Sequence, residues 1–318
     1  MTTQEEPLVS ILMPVYNVEK YLGRTLDSVF TQSYRRLEYV FVDDCSQDGS
    51  LAVLQSAIAA HAVGDGRCTI VSHTENQGIA VSRADCLAHA RGDYVYFVDS
   101  DDWIEPDTVE QMVRATGGGR VDIVGCDYMK DYRDAPPTTH HEAYAATCRE
   151  NLLRCLNYDI ATTLWKLLVR RSLFSHISIT PHVDIVEDYI ISVKLYYYAQ
   201  SFASLPRAFY HYVQYNQERV SLQTLRSVTM HIKGVGEVEA FLREKGLYDA
   251  TAERLLNLRK FNIKSNFLTR QLLDYDAYRR TFPEASGAWR QMGYSRKEQL
   301  KFWLAENHLF TLLKLLQK

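Results

Sequence analysis

Three stretches of this 318-residue chain bring carboxylates together where an apolar run or a helical pattern meets a loop. Tyr94-Val95-Tyr96-Phe97-Val98 reads as a buried strand, rich in β-branched and aromatic residues, and it delivers Asp99, Asp101 and Asp102 within four positions. Like charges a few ångströms apart repel and titrate upward, so such a cluster favours a nearby cation. A divalent metal carrying phosphate suits hard oxygen ligands that leave coordination positions open. An acidic turn capping the next segment is the plainer alternative. Leu37 to Val42 is a second apolar run, ending in Asp43-Asp44, and Glu187-Asp188 opens a later helical stretch. Two acids in a first turn would also suit the helix dipole.

The elements that must position these acids follow in order. Val9 to Asn17 reads as a buried strand stopped by Pro14, which has no N–H for a sheet ladder, with Asn17 as N-cap of the next helix. That helix carries Leu22, Leu26, Val29 and Phe30 on one face and ends near Ser33. After the second strand, Asp48-Gly49-Ser50 caps a helix to about Ala60, and Cys68 to Val71 is a third strand. Asn76-Gln77-Gly78 turns into a helix with Ile79, Arg83, Leu87 and Ala90. Alternating strands and helices predict a parallel sheet covered on both faces, with ligands beyond the carboxyl ends of its strands. Val109 to Ala115 and Glu150 to Leu156 read as helices; Val121 to Val124, Trp165 to Val169 and Tyr210 to Tyr212 read as strands. Beyond Leu222 the pattern is helical, and the last helix opens with the capping box Ser295-Arg296-Lys297-Glu298 and runs on to Leu316.

Composition narrows the class. Hydrophobic content of 46 % and charged content of 24 % are those of an ordinary globular protein. Six cysteines are scattered singly, which argues against a zinc site or a disulfide framework and suits a reducing cytosol. The polar, acidic start does not read as a signal peptide, and no apolar run reaches the length of a spanning helix. His231 to Lys318 holds 16 Lys and Arg against 10 Asp and Glu, a balance of +6 that leaves −9 for the first 230 residues. Nothing in the basic tail resembles a nucleic-acid module. Its Leu/Trp/Lys helix is amphipathic and suits either a membrane interface or docking against the rest of the chain.

Pro14-Val15-Tyr16-Asn17, Val42-Asp43-Asp44-x-Ser46-x-Asp48-Gly49-Ser50, Asn76-x-Gly78, Asp99-Ser100-Asp101-Asp102-Trp103 and Glu187-Asp188 occur in that order. Together they resemble the family 2 glycosyltransferases, inverting enzymes of the GT-A fold that use nucleotide-diphospho sugars. The resemblance is strongest from Val9 to about Asp107, patchier to about Ser221, and hardly touches the tail. It implies a Rossmann-like α/β sandwich with a mostly parallel central sheet and a helical C-terminal extension. The catalytic domain would span residues 1–222, with a nucleotide-sugar half at about 8–107 and an acceptor half at about 120–222, and helices would fill 223–318.

By the same resemblance Asp101 would bind Mn²⁺ or Mg²⁺, and Asp99 would contact ribose or metal-bound water. Ser100 would join the donor site, Asp43 would bond the uracil edge, and Pro14, Val15 and Tyr16 would line the base pocket. Arg83 would reach the diphosphate, and Asp188 would be the base that deprotonates the acceptor hydroxyl. The implied reaction moves a hexose or N-acetylhexosamine from a UDP-sugar to a glycan or lipid-linked oligosaccharide. That places the protein in the cytoplasm, with peripheral contact at the inner face of the membrane. Cys45 stands where the family usually has Gly, and Trp165 meets Lys166 without the Asn of many relatives. His211 is a further metal-ligand candidate, although a satisfied structural histidine is the simpler reading; Trp165 is read as core and Lys166 as surface or site. A non-catalytic sugar-nucleotide-binding or scaffold member would keep the core acids and lose the base, which the intact Asp188 argues against. A nucleotidyltransferase would carry a Gly-rich basic loop after the first strand, and none is present. A receiver-type phosphorylation domain would be shorter and lack Glu187-Asp188.

Overall fold

The computed structural model describes residues 6–63, 66–216, 224–269 and 271–316. Its chain divides into two compact units, residues 1–152 with 160–219 and residues 153–159 with 220–318. The boundary expected at 222–223 lies outside the described residues.

The first unit alternates strand and helix: β1 (Val9–Val15), α1 (Glu19–Phe30), β2 (Leu37–Asp43), α2 (Ser50–Ala60), β3 (Cys68–Ser72), α3 (Ile79–His89), β4 (Tyr94–Phe97). It continues with β5 (Trp103–Ile104), α4 (Thr108–Ala115), β6 (Ile123–Asp131), β7 (Thr138–His140), α5 (Cys148–Leu156, divided between the two units after Leu152), β8 (Leu167–Arg170), α6 (Glu187–Tyr198) and β9 (Phe202–Val213). Among the described residues these strands form one sheet in the order β3-β2-β1-β4-β8-β6-β9-β5, with β7 on β6. The first four strands pair in parallel, β6 also runs parallel to β9, and the remaining pairs are antiparallel. Every residue of β1, β2 and β4 is buried, as strands covered on both faces require. α1 presents Leu22, Thr25, Leu26 and Val29 to the core at helical spacing. After β3 the chain crosses back to pair β4 with β1, which opens a crevice beyond their carboxyl ends.

Pro14 does not stop β1, which continues to Val15. The β1–β4 ladder ends at Leu12, and Pro14 faces that already unpaired side, so its missing N–H costs no ladder bond. Asn17 is not an N-cap either. It takes a left-handed φ of 49°, and its Oδ1 accepts from the Gln47 N–H at 2.8 Å. The start of α1 is capped from outside, Ser50 Oγ accepting from Val18 N–H and Asp48 Oδ2 from Glu19 N–H.

The second unit holds α7 (Leu225–Glu244), α8 (Ala250–Ser265), α9 (Tyr275–Arg280), α10 (Arg296–Glu306) and α11 (Phe310–Leu316). Thr224, Asp249, Asp274 and Ser295 cap four of them with side-chain oxygens, and the Ser295–Glu298 capping box forms as read. The single last helix expected from the sequence is two. His308 adopts a left-handed φ of 59°, with His308 N–H on Ala305 O and Leu309 N–H on Leu304 O, a Schellman ending without its usual glycine.

Candidate active site

The loops beyond β1, β2, β3 and β4 are tied together by their own polar side chains. Asp44 Oδ1 accepts from Gln77 N–H and Oδ2 from Gly78 N–H, both at 2.8 Å, so the end of β2 sets the turn into α3. His73 joins Asp44 (2.7 Å) to Asp85 (2.9 Å); burial lowers its pKa, and the two carboxylates more than offset this and raise it. Gly78 has a φ of 89°, which glycine adopts without strain, and a Cβ there would also push the Asp184 carboxylate aside. Cys45 is forced into the left-handed region, φ 62°, where glycine would be unstrained. Much of the Asp43-to-Ser50 signature is therefore scaffolding that shapes the crevice.

The acidic loop after β4 is held from beneath. Asp102 is fully buried and accepts from Tyr210 O–H (2.9 Å) and Val213 N–H (2.8 Å). The Tyr210 oxygen accepts in turn from Asp99 N–H at 3.1 Å. Trp165 stacks on Tyr210 with ring centroids 4.2 Å apart and is core, as read. Thr25 donates to Ser100 O at 3.0 Å, which fixes the loop to α1.

Arg83 joins the site's two halves. It is buried, and its guanidinium donates to Asp99 Oδ1 (3.1 Å) from Nη2 and to Glu187 and Asp188 from Nη1. The arginine of α3 thus clamps both acids of the first turn of α6 to the end of β4. Burial raises the Asp188 carboxyl to about 6, with Arg83 pulling it down and Asp99 pushing it up. Burial raises Glu187 as well, against the pull of Arg83. One cation facing three carboxylates leaves this cluster short of positive charge.

Of the residues expected in the site, Arg83, Asp99 and Asp188 meet directly. Asp43 is buried at the end of β2, accepting from Ser46 N–H at 3.3 Å, and Ser100 is buried in the β4–β5 loop. Tyr16 is 44 % exposed at the end of β1, whereas Pro14 and Val15 are packed into the core. Asp101 is half-buried and accepts from Asn216 Nδ2 at 2.8 Å. His211 is a satisfied structural histidine: it stacks on Trp103, with Glu105 at 2.9 Å and Asp131 at 3.2 Å on its two nitrogens. Lys166 is neither on the surface nor in the site; it is buried and paired with Glu142 at 2.8 Å.

No group of three His, Cys, Asp or Glu converges as a metal cage among the described residues. Asp99 and Asp101 offer partly exposed oxygen donors on one loop. That donor set fits Mn²⁺ or Mg²⁺ drawing its remaining ligands from phosphate and water. Sequence reading did not single out Asp44, Asp102 or Tyr210 as organisers, although the doubled acids were visible; Asn216 and the Asp184 contact left no local signal.

The fold is GT-A. Crystallised S. aureus TarS, residues 1–349 in complex with UDP-GlcNAc, superposes with a TM-score of 0.73 over 98 % of this chain and 90 % of that one, at 19 % identity. The mannosyltransferase PcManGT from Pyrobaculum calidifontis, in complex with GDP-Man and Mn²⁺, gives 0.53 over 98 % and 83 %, at 19 % identity. The Glycosyl transferase family 2 model matches residues 10–178, and the chain belongs to that family. EpsH of Bacillus subtilis (strain 168), a glycosyltransferase by name, is 32 % identical over 216 residues, which are 65 % of this chain and 61 % of EpsH. No helix among the described residues is long and apolar enough to cross a membrane.

Proposed function

We propose that the chain transfers a hexosyl or N-acetylhexosaminyl group from a UDP-sugar to a hydroxyl of a glycan or lipid-linked acceptor, with inversion at the anomeric carbon. One observation carries this reading: Asp188 is fixed by Arg83 beside Asp99, at the crevice where the central strands end. Inversion by single displacement needs a base facing the acceptor, and a carboxyl raised to about 6 is largely ionised at neutral pH and basic enough to take a proton. Asp188 takes the hydroxyl proton as the acceptor oxygen attacks and the bond to the nucleoside diphosphate breaks. Arg83 holds Asp188 in place, and Asp43 and Tyr16 at the ends of β2 and β1 receive the uracil. UDP is favoured because TarS, which shares the fold, was crystallised with UDP-GlcNAc.

Asp101, with Asp99 beside it, would hold Mn²⁺ or Mg²⁺, as PcManGT was crystallised with Mn²⁺. Bound there, the cation supplies charge stabilisation for the leaving diphosphate. The test separates the two acids. Asp188→Asn should lower transfer by about 10²- to 10⁴-fold while UDP binding persists. Asp101→Ala should lose metal-dependent UDP binding itself. Transfer at the wild-type rate by either variant would sink the assignment.

A further inference from the structure

Ten large apolar side chains stand exposed among the described residues, and four of them, Leu300, Trp303, Leu309 and Leu312, fall on or beside α10 and α11. The opposite side of α10 is consumed by packing, with Phe302 buried against Phe261 and Tyr294 at ring distances of 4.9 Å. Arg296, Leu300 and Trp303 recur at i, i+4 and i+7, so a cation and two large apolar groups share one helix face. Ser295 to Lys318 carries five Lys and Arg against two Glu. Both acids are engaged elsewhere, Glu298 in the capping box and Glu306 by Gly287 N–H at 2.6 Å. Arg296 and Lys297 make no ion pair among the described residues and remain available.

We infer that α10 and α11 form a docking face for an anionic membrane surface. Trp303 and the leucines enter the headgroup boundary, where an indole is well accommodated, while Arg296 and Lys297 meet lipid phosphate. The face is not long or apolar enough to span the bilayer, so attachment is peripheral and reversible. This inference stands apart from the sugar-transfer reading and survives its failure.

The test is co-sedimentation of the full chain with phosphatidylcholine vesicles, with and without phosphatidylglycerol, over a salt series. The chain should pellet with the anionic vesicles alone, and less as salt rises. Arg296→Glu with Lys297→Glu should weaken binding by at least about tenfold. Leu300→Ser with Trp303→Ser should abolish it. Unchanged thermal midpoints would show that both double variants fold. Failure to pellet with either vesicle would overturn the inference. Concentration-dependent self-association removed by Leu300→Ser with Trp303→Ser, without lipid binding, would overturn it too and make the face a protein interface.

Discussion

At the scale of single residues, Arg83 decides how the acids of the site behave. A buried guanidinium bonded to Asp99, Glu187 and Asp188 keeps three carboxylates together that would otherwise repel. In the proposed mechanism Asp188 would serve as base only when ionised. With its carboxyl raised to about 6, kcat/KM should rise with pH through about 6 and level off above it. Arg83→Met removes the charge that favours ionisation, so the acid limb should move to higher pH, and stability should fall by about 3–5 kcal/mol, the usual cost of breaking a buried pair. A pH profile that stays in place would contradict this role. Cys45 is a second test. Its left-handed backbone costs about 1–2 kcal/mol, and glycine there gives back about 0.5–1 kcal/mol in entropy. Cys45→Gly should therefore stabilise by up to about 1 kcal/mol in urea unfolding, whereas Cys45→Val should destabilise.

Between elements, the organising contacts are those that join strand ends to distant helices. The β4–β5 loop holds its shape because Tyr210 on β9 and Asp102 form a buried hydrogen-bonded pair that also takes up Asp99 N–H. Tyr210→Phe keeps the stack on Trp165 but leaves Asp102 short of a donor, which should cost about 1–3 kcal/mol. Because Asp99 is then less firmly placed, donor KM should rise more than kcat falls; an unchanged KM would make Tyr210 purely a packing residue. The alternation of elements from Val9 to Val98, the acids at strand ends and the start of α6 were legible in the sequence, because hydrophobic period and caps are local signals. The antiparallel insertion of β8 between β4 and β6 was not, nor was the reach of Arg83 across 104 residues to Glu187, since neither leaves a mark in neighbouring residues. Pro14 and Asn17 misled for the same reason: the first is excused by a ladder that ends early, the second is replaced by caps borrowed from Asp48 and Ser50.

Across the whole molecule, charge follows function in the proposed reading. In that reading the first 230 residues, at net −9, hold the acids that face metal and sugar, while residues 231–318, which the family match does not reach, carry a net +6. In the proposed reading, the crevice beyond β1, β2 and β4 takes a nucleoside diphosphate together with a divalent cation. The most direct test is thermal unfolding of the full chain with Mn²⁺ plus UDP, GDP, CDP or ADP, against metal alone and nucleotide alone. A ligand at about 100 times its Kd adds roughly 2.7 kcal/mol of stability when it binds only the folded protein. UDP and Mn²⁺ together should raise the midpoint by several degrees, and either alone by little. No shift with any nucleotide in the presence of the metal would contradict that reading.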